Sequence, residues 1–206
     1  LVHFLEAGDW FVGLDLSEHM LTYARENAAD HIRAGNAKFV RGDARDFQLD
    51  QSFGLVVSTY DALNHLEDLA ALRSCFATVY AVSDGMFIFD LNTRRGLRRW
   101  NNIQVDESGE EALVITRGVY DGFSDRAWTR LSGFFKTENG LFERFEETVY
   151  NTVFDLRDVE QALRDTGWGD VHFARVKDLP TPLQDPEDEG RVFVIARKKA
   201  GQHEEE

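Results

Sequence analysis

One cysteine, three prolines and two methionines occur in 206 residues, and the 23 lysines and arginines are outnumbered by 37 aspartates and glutamates. A lone Cys75 excludes an internal disulfide and fits a reducing compartment. It lies at helical spacing from Leu72 and Val79, so it reads as a core residue and not as a nucleophile. A net charge of -14 leaves little basic surface for phosphates, so neither nucleic acid nor an anionic membrane is an expected partner. No apolar run approaches the ~20 residues of a transmembrane helix, and no signal peptide is visible, so a cytoplasmic protein is expected. His3, His31, His172 and His203 lack metal-ligand spacing, and no metal is expected.

Apolar material is ample. Hydrophobic residues make up 43% of the chain, with 16 Phe, 4 Trp and 5 Tyr, enough for one domain with a full core. The sequence opens on Leu1, Val2, Phe4 and Leu5, read as the end of a helix closed by Gly8. An upstream strand and loop are therefore expected to be missing from it.

The most informative stretch is FVGLDLSEHMLTYA, residues 11–24. An apolar run, Phe11-Val12-Gly13-Leu14, ends at Asp15. Leu16 follows, then Ser17, a good N-cap for a helix whose apolar positions Met20, Leu21 and Ala24 recur at helical spacing. Open α/β sheets present a carboxylate to a ribose in this way, with Met20 able to lie against a purine ring. The plainer reading is a strand edge whose Asp caps the next turn.

Strands and helices then alternate. Ala37–Val40 is a strand running into Arg41-Gly42-Asp43-Ala44, and Phe53–Ser58 is a buried strand. Leu66–Val82 is an amphipathic helix, Ser83-Asp84-Gly85 a turn and Met86–Asp90 another buried strand. This rhythm predicts an α/β fold with a parallel sheet covered by helices on both faces. The pattern changes after Thr93. Segments 112–121, 127–136 and 141–154 read as antiparallel strands, with Asn139-Gly140 as a hairpin turn. Asp155 caps a helix through Leu163, and two strands, 171–176 and 192–196, finish the core. The expected organisation is one domain, with an α/β core over 1–93 and 155–199, an antiparallel insertion over 112–154 and a tail over 200–206. The insertion is expected to be a lid or a dimer surface, which makes a homodimer one expectation.

In this order the segments resemble class I S-adenosylmethionine-dependent methyltransferases that act on small molecules. The resemblance covers most of residues 12–197. It implies a Rossmann-like, mostly parallel sheet with a terminal antiparallel strand, S-adenosylmethionine as cofactor and a small-molecule acceptor. GLDLSEHMLTYAR resembles the segment that holds the cofactor ribose, which makes Asp15 the ribose ligand, with Leu16 beside it and Met20 near the adenine. FVRGDARDF resembles the next motif, with Gly42 in the turn, Asp43 accepting from the adenine amino group and Ala44 offering its N–H. FGLVVSTYDALNHL resembles the fourth strand and the loop where cofactor and acceptor meet, which places Ser58 and Thr59 at the cofactor. SDGMFIFDLNT and RVFVIARK resemble the fifth and the last strands. One departure is plain: the family's acidic-x-Gly-x-Gly loop has no counterpart in these 206 residues.

Several side chains carry two readings each. Tyr60 can shape a methyl channel. His65 can act as a general base, or be a helix-start histidine bonded to backbone, which is favoured. Asp61 and Asn64 can contact substrate or cap turns. Asp90, Asn92 and Thr93 can face the acceptor or form an Asx turn. The arginines at 94, 95, 98 and 99 can hold an anionic acceptor, although a solvated helix face is preferred. Aromatic residues of the insertion (Trp128, Phe134, Phe135, Phe142, Phe145, Tyr150, Phe154) can wall an apolar pocket, form an interface or pack on the sheet.

Methyl transfer to a nitrogen or oxygen acceptor is the expected function. Two others remain open: a nicotinamide-dependent oxidoreductase, whose Gly-x-Gly-x-x-Gly turn and Tyr-x-x-x-Lys pair are not found, and a non-catalytic binding module on the same scaffold.

Overall fold

The structure, a computed structural model, describes residues 10–199. The helix expected over Leu1–Gly8, the 200–206 tail, His3 and His203 lie outside the described residues.

Strand β1 (Phe11–Asp15) leads through Ser17 into helix α1 (Glu18–Asn27), followed by the short α2 (Ala29–Ala34) and β2 (Ala37–Arg41). The Ser17 hydroxyl accepts from the Met20 N–H at 3.3 Å, the N-cap expected from sequence. β1 and β2 pair in parallel, with Asp15 opposite Arg41. β3 (Phe53–Ser58) comes next, then a 3-10 turn (Ala62–His65), α3 (Leu69–Val82) and β4 (Ser83–Asn92). The amphipathic helix expected from Leu66 begins at Leu69, because Asp68 caps α3 through the Ala71 N–H at 2.8 Å. Ser83-Asp84-Gly85 belongs to β4 and makes no turn.

A second sheet has the order β3-β4-β10-β9, with β9 (Trp168–Ala174) and β10 (Arg191–Lys198). β3 and β4 are parallel, and β10 is antiparallel to both its neighbours. The expected terminal antiparallel strand is present. Among the described residues β1 and β3 each pair along one edge only, and the Trp10 and Phe53 rings stack at 5.8 Å where these two strands begin.

Alternation along the second sheet explains the core. Phe87, Phe89 and Leu91 of β4 and Val192, Val194 and Ala196 of β10 point to one face. Leu72, Cys75, Phe76 and Val79 of α3 pack there, with Val159, Ala162 and Leu163 of α5 (Leu156–Thr166). Phe76 lies 5.4 Å from Phe89 and 6.3 Å from Phe87, ring to ring. Cys75 is fully buried, and burial pushes its thiol up to about 12. Ala44 and Phe47, from the turn after β2, pack on this same cluster, so the two-stranded sheet is joined to it. Helix α5 ends at Gly167, whose φ of 113° a side chain rarely adopts.

The insertion is larger than the sequence suggests. A fourth strand, β5 (Ile103–Ser108), joins β6 (Ala112–Val119), β7 (Arg126–Lys136) and β8 (Phe142–Thr152) in an antiparallel meander. Its base is fixed by a small cluster of Leu97, Tyr120, Ala127 and Val153, packed under helix α4 (Arg94–Arg98). Gly96 of α4 lies so close to Gly190 that an added Cβ would meet the Gly190 carbonyl oxygen at 1.8 Å. Neither chain could approach so nearly with a side chain at 96.

The arginines of α4 correct one expectation. Arg94 donates to the Tyr120 hydroxyl at 2.6 Å and to the Phe123 carbonyl at 3.1 Å, and Arg98 donates to the Gly122 carbonyl at 3.2 Å. Arg95 pairs with Asp188 at 3.1 Å. Arg94 and Arg98 tie the helix to the Asp121–Asp125 turn and Arg95 ties it to Asp188, so the helix is not merely a solvated face. Burial pushes the Tyr120 hydroxyl upward, partly offset by Arg94.

Candidate functional site

Two groups of residues gather at the carboxyl ends of the parallel strands. The first sits on the β1–β2 pair. Asp15 ends β1, and its backbone carbonyl accepts from the Gly42 N–H at 3.1 Å, so the Asp15 and Asp43 turns are neighbours. One Asp15 oxygen, Oδ1, accepts from the Ser17 N–H at 2.8 Å. No side chain among the described residues donates to Oδ2, which leaves an open acceptor. Leu16 and Met20 are exposed beside it, Met20 at 55%. An open carboxylate oxygen next to an uncovered thioether suits a ribose and a flat base. The strand-edge reading of Asp15 is also realised, since the Ser17 bond is a local turn.

Asp43 is differently placed. Its Oδ1 accepts from the Arg45 backbone N–H at 2.9 Å and from Nε at 3.0 Å, and its Oδ2 accepts from Nη2 at 2.6 Å. This guanidinium holds the Asp43 carboxyl below its ordinary value. Arg45 also donates through Nη1 to Glu67 at 2.6 Å, joining the Asp43 turn to the loop after His65. An adenine amino group would have to share or displace the Arg45 contacts. Gly42 and Ala44 flank Asp43 half-buried, and Ala44 packs on the core.

The second group follows β3. Ser58 ends the strand half-buried, and Thr59 is exposed. Tyr60 and Asp61 have φ of 63° and 50°, the only positive values outside glycine among the described residues. Such conformations cost side-chain-bearing residues on the order of 1–3 kcal/mol each, so their surroundings must hold them. The Asp61 N–H donates to Asp90 Oδ1 at 3.1 Å. Arg191, at the start of β10, donates through Nη1 to Asp90 Oδ2 at 2.6 Å and through Nη2 to Asp61 Oδ1 at 2.7 Å. The Asp90 side chain is fully buried, and burial pushes its carboxyl upward, opposed by the Asp61 N–H and by Arg191. Tyr60 itself stands 84% exposed.

Asn64 is a staple and not a substrate contact. Fully buried, it donates to the carbonyls of Asn92 at 3.2 Å and Thr152 at 2.9 Å, and accepts from the Asn92 N–H at 2.9 Å. Those bonds lock the loop to the ends of β4 and β8. Thr93 is buried and caps α4 through the Gly96 N–H at 3.2 Å. Asp90 and Thr93 are therefore consumed in structure, as are the backbone and Oδ1 of Asn92, while its buried Nδ2 has no partner among the described residues. His65 Nδ1 lies 2.9 Å from the Tyr150 carbonyl. A carbonyl only accepts, so Nδ1 carries the proton and the neutral ring keeps a lone pair on Nε2. The backbone-bonded reading of His65 describes what is seen, and the same bond leaves a base-competent nitrogen.

Sequence reasoning missed Arg45 and Arg191. The Asp-x-Arg spacing at 43–45 carried a signal for the first, whereas nothing local pointed to the second. Of the insertion aromatics, Phe154 joins the main core, while Phe134, Phe135, Phe142 and Tyr150 remain exposed.

Comparison with known proteins bears on the cofactor. A model of a methyltransferase domain matches residues 1–83. YqeM of Bacillus subtilis (strain 168), provisionally named a methyltransferase, is 24% identical over 200 residues, covering 96% of this chain and 78% of the relative. The dTDP-3-amino-3,4,6-trideoxy-alpha-D-glucopyranose N,N-dimethyltransferase of Streptomyces venezuelae is 39% identical over 80 residues, 37% of this chain and only 31% of that enzyme. Among solved structures, an S-adenosylmethionine-dependent methyltransferase from Clostridium acetobutylicum ATCC 824 superposes with a TM-score of 0.74 at 18% identity. That superposition covers 93% of this chain and 76% of the other. The resemblance read from sequence and its Rossmann-like fold are borne out.

Proposed function

We propose, for a chain with the fold of class I S-adenosylmethionine-dependent methyltransferases, that it transfers a methyl group from S-adenosylmethionine to the amine of a small molecule. The observation that carries this reading is the pairing of β1 with β2. It sets the open Asp15 carboxylate beside the Gly42-Asp43 turn and under an exposed Met20.

The cofactor supplies, when bound, a methyl group on a sulfonium. This chain's residues would bind and orient. Asp15 holds the ribose hydroxyls, Leu16 and Met20 cover the adenine, and Gly42, Asp43 and Ala44 line its edge. Ser58 and Thr59 approach from β3, with Tyr60 at the reaction end. Fixing two reactants in line contributes on the order of 7–11 kcal/mol. His65, with Nδ1 pinned to Tyr150, takes the acceptor's proton on Nε2.

One feature favours an amine. The Streptomyces relative acts on an amino sugar. The insertion's exposed aromatic residues are assigned to the acceptor, or to a subunit interface in a homodimer. The chain is read as one methyltransferase-like domain acting in the cytoplasm.

Incubation with S-[methyl-³H]adenosylmethionine and a nucleotide-linked amino sugar tests this. Label should pass to the amino sugar and not to its hydroxyl analogue. Transfer to the hydroxyl compound alone would refute the choice of amine, and binding of NADH without S-adenosylhomocysteine would refute the whole reading.

A further inference from the structure

The loop after β3 is held in a conformation its sequence does not favour, and the holding group comes from the far end of the chain. Tyr60 and Asp61 both occupy the left-handed region, though neither is glycine, asparagine or next to a glycine. Isolated, this dipeptide would relax to an extended or right-handed form. Four bonds oppose relaxation. The Asp61 N–H is fixed on Asp90 at 3.1 Å, its carbonyl accepts from the Asn64 N–H at 2.9 Å, and the two carboxylates are bridged by Arg191 at 2.6 and 2.7 Å. Arg191 is itself steadied by Nε on Asn92 Oδ1 at 3.3 Å. Without the guanidinium, two carboxylates would face each other beside a strained backbone. They would repel, and the loop would turn over.

Tyr60 is the residue this clamp aims. It is almost wholly exposed, so little packing holds its ring, and the backbone sets the direction in which its Cα–Cβ bond leaves the loop. We infer that Arg191 is a positioning residue for methyl transfer: by bridging Asp90 and Asp61 it keeps Tyr60 in the left-handed conformation that directs its ring to the reaction end. This rests on the reading of the site as a methyltransferase centre, but the geometry of the clamp does not.

Glycine offers a direct test, because it enters the left-handed region without steric cost. Replacing Asp61 by Gly also removes the carboxylate that would repel Asp90. Four proteins are compared: parent, Arg191→Met, Asp61→Gly and the double variant, each with 3-fluorotyrosine at position 60 for ¹⁹F NMR. Arg191→Met should lower kcat about tenfold, the scale of one released strained residue, while the dissociation constant of S-adenosylhomocysteine changes less than about twofold. Its ¹⁹F resonance should broaden or shift. The double variant, which removes the left-handed cost at 61 but not at Tyr60, should regain part of the lost kcat and move the ¹⁹F line back toward the parental position.

A purely structural role for Arg191 predicts otherwise: lower melting temperature, no recovery of kcat in the double variant and an unmoved ¹⁹F line. Either of the last two results overturns the inference. Should every protein lack methyl transfer while the ¹⁹F line still moves and recovers, the clamp stands and the proposed function falls.

Discussion

Arg45 closes on Asp43 through both carboxylate oxygens, 2.6 Å from Oδ2 and 3.0 Å from Oδ1, while its remaining nitrogen reaches Glu67 at 2.6 Å. The residue assigned to the adenine edge therefore already has a cationic partner, and that partner has a second anion within reach. Base recognition at Asp43, as proposed, would involve three side chains, Asp43, Arg45 and Glu67.

Replacing Asp43 by Ala should reduce discrimination between adenosine and inosine forms of the product. Competitive titration with S-adenosylhomocysteine and S-inosylhomocysteine measures it. Equal loss of affinity for both would show that Asp43 serves the turn alone.

Acid stability provides a second reading of the same pair. The Asp43 carboxyl lies below its ordinary value of 3.8, chiefly because Arg45 donates to it. The unfolded chain therefore binds this proton first on acidification. The stabilisation is fully present above 3.8 and is lost as pH falls through the lowered folded value. Urea titrations of the parent and Asp43→Asn should differ near neutrality and converge below that range. A difference that widens on acidification would contradict the sign.

Asn64 ties the β3 loop to two strand ends. Its replacement by Ala leaves the Asn92 N–H and the Thr152 carbonyl without their partner and should destabilise the protein by about 1–3 kcal/mol. Equilibrium urea unfolding reads this directly. A change within a few tenths of a kcal/mol would mean that water replaces the amide.

In the core, Phe76→Ala removes a fully buried ring packed between α3 and β4 and should cost about 3–5 kcal/mol. Thermal unfolding by circular dichroism checks the size. Cys75, the residue before it in α3, should resist iodoacetamide in the native state and react fully in denaturant.

How much of this was visible beforehand depends on how local each interaction is. Asp15, Ser17 and Met20 form a turn and a cap within six residues, so their arrangement could be read directly. Cys75 fell to the core by its spacing from Leu72 and Val79. The parallel strands were legible as apolar runs. β5 was not, because Ile103 and Val105 alternate with polar and acidic residues and remain exposed. Asn64 reaches a partner 88 residues away, and Arg191 reaches partners 101 and 130 residues away. No periodicity encodes such pairings, which arise only when the end of β8 meets the loop after β3 and β10 lies against β4. The four arginines near residue 96 look alike in sequence, yet Arg94 and Arg98 bond to the Asp121–Asp125 turn while Arg95 pairs with Asp188.

The central claim is that Asp15 grips the cofactor's ribose. Isothermal titration of S-adenosylhomocysteine into the parent protein and Asp15→Ala tests it most directly. The account predicts saturable binding by the parent and a loss of about 1–3 kcal/mol in the variant, the worth of hydrogen bonds to a charged acceptor. Identical affinities in the two proteins would contradict it.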